Sequence, residues 1–302
     1  MARTKFSAID ILGISLGVLS ILIVIGSIVT IAQGRMFDFH WDMMDNRGFW
    51  NGQSFSYGGA VREEKDEQVP SDVTELEVRN IAGSIDISGD TAGAALAVHS
   101  VKMAPTQAAL ERVRVDINRV GSRLILEEKH EPGFAFQTGT VSFQIVVPRT
   151  VKVLEAHSVS GSVTVRGVDR TVDEMLSTIS GSVTTNAAHN LDASSTSGHV
   201  EFASAGNAVK VHTVSGSIDG TLDALSKSGS ATLGSVSGSV TLNAFSQLDA
   251  MVNLHSVSGS VACGFPITIT EQKRNRLNGS IGSGAANLDI GTVSGSISIN
   301  RE

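Results

Sequence analysis

Ser158-Val159-Ser160-Gly161-Ser162-Val163 is the stretch from which the fold is read, because it returns with little change through the rest of the chain. Its centre, Gly161, is followed by Gly181, Gly198, Gly216, Gly238, Gly259, Gly279 and Gly295, at intervals of 20, 17, 18, 22, 21, 20 and 16 residues. A self-similar period of about 19 residues is the length of one solenoid coil, a unit that buries its apolar side only against its neighbours. Around the glycine, Val159, Gly161, Val163 and Val165 fall on one side and Ser158, Ser160, Ser162 and Thr164 on the other, which is the period of a strand.

A second alternating run precedes each glycine in shifted phase. Val211 and Val214, Leu233 and Val236, Leu254 and Val257, and Ile290 and Val293 each stand three residues apart. An odd step turns a continuous strand inside out, so it predicts a corner at the two intervening residues, beyond which both strands again aim their apolar residues at one interior. The eight glycines are then structural, at a point too narrow for a Cβ or bent beyond what other residues allow. The outward serines Ser160, Ser180, Ser197, Ser215, Ser237, Ser258 and Ser294 form a candidate surface ladder, one hydroxyl per coil.

Working back from this regular solenoid of residues 151–302, residues 70–150 read as a β cap continuous with it. The strand-like runs are Leu76 to Val78, Ile81 to Ile87, Leu96 to Val101, Val113 to Ile117, Leu124 to Leu126 and Val141 to Val147, and Ile81-Ala82-Gly83-Ser84-Ile85 echoes the repeat. Ala104 to Arg112, with Pro105 at a usual first helical position, reads as a short helix.

Residues 1–35 read as a transmembrane anchor. No charge occurs from Ile11 to Ala32, and a helix of that length spans about 33 Å, enough for a bilayer core. Arg3 and Lys5 before it, against Asp38, Asp42 and Asp45 beyond Arg35, place the N-terminus in the cytoplasm and the rest of the chain outside. Gly13 and Gly17 share one face with Ser20, a spacing that lets two such helices pair. Residues 36–69 hold Phe37, Phe39, Trp41, Phe49, Trp50, Phe55 and Tyr57 and then the charged run Arg62 to Glu67, and read as a flexible tether that touches the membrane.

Composition bounds the function. With 41% hydrophobic residues, 5% aromatics and 31 glycines, the core must be built from Val, Ile, Leu and Ala. A net charge of −7 with scattered Lys and Arg carries no footprint for nucleic acid. Cys263 stands alone, which excludes an intrachain disulfide. Asp169, Asp173, Glu174, Asp192, Asp219, Asp223, Asp249 and Asp289 fall between the repeat units and read as solvated charge. No Gly-x-Ser-x-Gly elbow, phosphate loop or calcium repeat occurs. His157, His212 and His255 align two residues before the repeat valine, but whole coils separate them, beyond the reach of one metal ion. Neither cofactor nor metal is expected.

The Ser-Gly-Ser-Val units, Val146-Val147-Pro148 ahead of the first regular coil, and the run Leu277-Asn278-Gly279-Ser280-Ile281-Gly282 through Thr292-Val293-Ser294-Gly295-Ser296-Ile297 resemble the bacterial DUF4097 family of adhesin-like β-strand repeat proteins, some of which belong to envelope-stress gene clusters. The likeness covers about residues 70–302 and implies a β-solenoid displayed at the cell envelope, with no catalytic residue to carry over. The expectation is therefore a mainly β chain: one transmembrane α-helix followed by a β-helix-like stack of roughly 20-residue coils. Its expected role is a non-catalytic binding, adhesion or scaffold surface toward an envelope protein or glycan, the alternative being an envelope-stress sensor or regulatory accessory that signals through a membrane partner. The last repeat ends at Ile299, so its coil edge is expected to lie open, and a second copy could pair there or through the membrane helix.

Overall fold

A computed structural model describes residues 60–302 apart from 70–71, 91–95, 132–138 and 224. The expected anchor, its pairing glycines Gly13 and Gly17, and the aromatic part of the tether lie outside the described residues. Among the described residues no helix is long and apolar enough to cross a membrane.

Strands β1 to β21, numbered in chain order, form two walls joined at corners. In spatial order the first wall runs β5 (Val113–Val120), β6 (Arg123–His130), β2 (Glu75–Ala82), β8 (Val153–Ser160), β10 (Asp173–Ser180), and then the second halves of β11 (Val183–Ser195) and β12 (Val200–Thr213). It continues through β14 (Ser230–Ser235), β20 (Ala286–Thr292), β16 (Ala250–Ser256), β19 (Arg276–Ile281) and β18 (Thr268–Lys273). The second wall runs β1 (Val61–Val69), β4 (Leu96–Ala104), β7 (Thr140–Val147), β3 (Ile85–Gly89), β9 (Val163–Arg166) and the first halves of β11 and β12. It ends with β13 (Ile218–Leu222), β15 (Val240–Ala244), β21 (Ile297–Arg301) and β17 (Val261–Cys263). Coil upon coil pairs in parallel, as the β-solenoid reading of the repeat requires; antiparallel strands flank both ends of the first wall and the start of the second, which ends on β17, parallel to β21.

The main core is a thin seam between the walls, with a small separate cluster of Ala104, Ala109 and Leu110. Leu154 and Ala156 on one strand and Val163 and Val165 on the next are completely buried, and most of their register equivalents in the other coils join the same cluster, while Glu174 and Thr185 hold two of those places as buried polar groups. Inward residues alternate with outward ones up to Ser158, itself 1% exposed, and resume at Val163. The phase step is thus five residues, and the corner is Val159 to Ser162. This corrects the expected three-residue step: Val159 and its equivalents are outward and partly exposed, because a buried hydroxyl takes the inward place before the corner.

Two expectations about coil order are also corrected. The last repeat does not lie at an end: β20 pairs with β14 on one side and β16 on the other, and β21 with β15 and β17. Its edge is therefore not open. Gly279 belongs to no corner, since it sits in β19, antiparallel to Val252 of β16. Gly83, between β2 and β3, takes the vacant place, so the cap region contributes a full coil of its own.

The charged segment read as tether also folds, as β1, paired antiparallel with β4 from Val61↔Ala104 to Val69↔Leu96. Lys102 to Glu63 (2.8 Å) and His99 to Asp66 (2.7 Å) tie the two strands together, and the density of charge suits an unpaired outer edge. The one described helix, α1 (Gln107–Leu110), is capped by Thr106, whose hydroxyl accepts from the Ala109 amide; Pro105 thus precedes the cap instead of starting the helix.

A stack of parallel corners leaves unpaired N–H groups at one end and unpaired C=O groups at the other. Side chains of opposite character close them. Glu128, 3% exposed, accepts from the amides of Ile81 (2.6 Å) and Ala82 (2.8 Å), while Asn275 Nδ2 donates to the Ser256 carbonyl (2.8 Å) beyond the last coil. Glu128→Ala should cost about 2 kcal/mol by stranding two shielded donors. An unchanged urea midpoint would show that water reaches those amides and that the cap is dispensable.

Candidate functional site

The corner is the feature that repeats, and its construction sets what the surface offers. A Cβ built on Gly161, Gly181, Gly198, Gly216, Gly238, Gly295 or Gly259 would lie 1.8–2.2 Å from the carbonyl oxygen of the corner glycine one coil before, counting in spatial order from Gly83. That carbonyl is aimed along the stack, where the next coil's hydroxyl reaches it. Thr178 donates to Gly161 O (2.9 Å), Ser195 to Gly181 O (2.9 Å), Thr213 to Gly198 O (3.3 Å), Ser235 to Gly216 O (3.0 Å), Thr292 to Gly238 O (3.1 Å) and Ser256 to Gly295 O (2.9 Å). All six donors are buried.

These hydroxyls were missed as site residues in the sequence, where they read as outward. The first coil differs: Asn80 Nδ2 bonds Gly83 O at 2.8 Å, and the Ser158 hydroxyl is left without a partner.

Outside this seam lie three parallel rows. The predicted ladder, Ser160, Ser180, Ser197, Ser215, Ser237, Ser294 and Ser258 in spatial order, is exposed throughout. Beside it runs an aliphatic row, Val159, Ile179, Val214, Val236, Val293 and Val257, interrupted only by Thr196. The last two are 40% and 61% exposed. At about 4.8 Å per coil the row is roughly 30 Å long.

The third row holds the histidines. His157 Nδ1 meets Ser177 Oγ at 2.7 Å. His212 and His255 lie over Gly234 and Gly291 of the adjacent coils, where an added Cβ would come within 2.8 Å and 2.6 Å of their rings. Burial lowers the affinity of His157 and His212 for a proton, so both are neutral at pH 7. In the actual coil order three positions separate His157 from His212 and His212 from His255, about 14 Å in each case. Among the described residues no group of three or more His, Cys, Asp and Glu could hold a metal ion.

One carboxylate departs from the expected solvated state. Glu174 is 3% exposed and lies inside the solenoid, with Leu154 and Leu191 as its register neighbours. Thr185 donates to its Oε2 at 2.6 Å and its Oε1 has no partner. Burial pushes its carboxyl up to about 7, the Thr185 bond opposing the shift. A group poised there could serve as an acid or base only if substrate reached it, and it is enclosed by the coil wall. A recess of about 140 Å³ lined by Asp90, Arg149 and Asp169 among others is below the usual size of a small-molecule site, about 300 Å³.

Several solved structures match this chain. A "putative cell adhesion protein" from Clostridium sporogenes is 10% identical, covering 80% of this chain and 100% of its own, with a TM-score of 0.38. A "putative adhesin" from Bacteroides fragilis is 15% identical, covering 80% and 97%, with a TM-score of 0.39. A "putative lipid binding protein" from Parabacteroides distasonis is 11% identical, covering 81% and 97%, with a TM-score of 0.31. Likeness at this level assigns no ligand to the present chain. No curated protein matches it in sequence. The Toastrack DUF4097 family model matches residues 65–300, spanning both the corner stack and its hairpin caps, and the chain belongs to that family.

Proposed function

We propose that the protein is a non-catalytic binding module of the cell envelope, held by an anchor within residues 1–35 whose span from Ile11 to Ala32 carries no charge, with residues 60–302 outside the cytoplasm, and that the corner face docks its partner. The observation that carries this reading is the aliphatic row, most exposed at Val293 and Val257 and flanked by serine hydroxyls at a fixed spacing. An apolar row of that length, interrupted only at Thr196, is costly to leave in water and characterises docking faces. Periodic and extended along the stack, it suits an extended partner surface better than a small molecule. The serines supply a hydrogen-bonding margin that needs no charge.

Photocrosslinking in intact cells tests the reading. A photoreactive residue replacing Val257 is expected to capture a discrete partner, whereas one replacing Asn243 on the outer side of the second wall is not. Equal capture from both positions, or none from Val257, would remove the corner as the docking face. The full chain is expected to sediment with membranes, and a chain lacking residues 1–35 is not.

A further inference from the structure

The coil formed by β20 and β21 enters the stack out of turn. Strands β16 to β19 precede it in sequence, yet it lies between β14–β15 and β16–β17. Because β19 occupies the outer edge of β16, the edge left for β20 is the one that faces β14. The place it fills is a slot bounded on both sides by strand edges, the kind of surface that accepts another strand.

The inserted coil satisfies both edges. On one side Asn287 N donates to Gly229 O (3.0 Å) and Ser294 N to Val236 O (2.9 Å); on the other Ser258 N donates to Val293 O and Ile297 N to Ser260 O, at 3.0 and 2.9 Å. Leu288, Ile290, Ile297 and Ile299 are no more than 1% exposed. Its Thr292 and Gly295 complete the hydroxyl and glycine ladders in both directions.

The coil is tied to its own chain by the turn Gly282-Ser283-Gly284, whose two glycines have φ of +62° and +74°. Asp249 latches that turn, accepting from Gly284 N (2.6 Å), Ala285 N (3.1 Å) and Ser283 Oγ (2.7 Å).

We propose that this slot also accepts the coil Ala286 to Arg301 of a second copy, so that two chains exchange coils reciprocally, with the Asp249 latch holding each coil against exchange. The incoming segment is identical to the one displaced and brings the same register, hydroxyl and corner glycine. Exchange therefore needs no new contact, and chain concentration and the freedom of the turn at 282–284 govern it.

Thr232 and Asp289 are exposed register partners on β14 and β20, and adjacent strands stand within disulfide reach. In a full-length Cys263→Ser background, chains carrying Thr232→Cys are mixed with chains carrying Asp289→Cys, co-refolded at high concentration and oxidised. The expected product is a disulfide-linked dimer holding one chain of each kind, with a several-fold higher yield when both also carry Asp249→Ala. A single chain with both cysteines is expected to cross-link internally. If that chain cross-links while the mixed chains stay monomeric, exchange is overturned. If it fails to cross-link, the register on which the slot depends is wrong and the proposal falls with it.

Discussion

Gly238→Ala is expected to leave little folded protein, with a cost above about 4 kcal/mol, the range reserved for changes that the surrounding structure cannot absorb. The added methyl would stand 1.9 Å from Gly216 O and 2.5 Å from its carbonyl carbon. Both are backbone atoms, so no side-chain rotation gives relief. Nor can the carbonyl swing aside freely, because Ser235 donates to it at 3.0 Å from the buried side. Separating the two coils would break the backbone bonds that link Val236 N to Thr213 O and Ser237 N to Val214 O. Ser237→Asp, one residue away in the exposed row, is expected to change stability by no more than about 0.5 kcal/mol. Urea denaturation of both variants checks the pair; a Gly238→Ala protein as stable as the parent would refute the stacked-carbonyl account of the corner.

That corner was half legible in the sequence. The period of the glycines and the alternation beyond them specify parallel coils, since each unit cannot bury its valines alone. The placement of the corner failed because polarity was taken for exposure. Ser158, Thr178, Ser195, Thr213, Ser235, Ser256 and Thr292 look outward by type but are buried, and all of these hydroxyls except that of Ser158 donate to a corner-glycine carbonyl.

The signal was present as a constant spacing: a Ser or Thr stands three residues before every corner glycine of the regular coils, and Asn80 before Gly83. Gly279 has Arg276 at that place, which marks it as a false member. Coil order was not legible, because a repeat fits equally well above or below its neighbour. It is the antiparallel hairpin of β18 and β19, claiming the outer edge of β16, that sends the last coil into the slot. Glu174 was misread by its position between repeat units, although its even spacing from Leu176 gives it the inward parity of the core.

Glu174 should make the protein less stable as pH rises through neutrality. Its carboxyl is held at about 7 in the fold against 4.5 for the ordinary group. Between those values the folded chain binds a proton that the unfolded chain releases. The stabilisation is therefore complete below about 4.5, declines as pH rises, and is gone above about 7. At 1.36 kcal/mol per unit the full swing is about 3 kcal/mol.

His157 and His212, whose folded forms resist protonation, act in the opposite sense and weaken the fold as pH falls, so the parent's curve alone would not isolate the carboxyl. The difference between the parent and Glu174→Gln does. The amide keeps an acceptor for Thr185 and cannot ionise, so the variant is expected to match the parent near pH 4.5. It should exceed the parent by about 3 kcal/mol at pH 8, equivalent to a rise in melting temperature of roughly 10 °C for a chain of this size. Parallel stability curves across that range would mean that water or a rearranged wall solvates Glu174, and that the interior of this coil is not sealed.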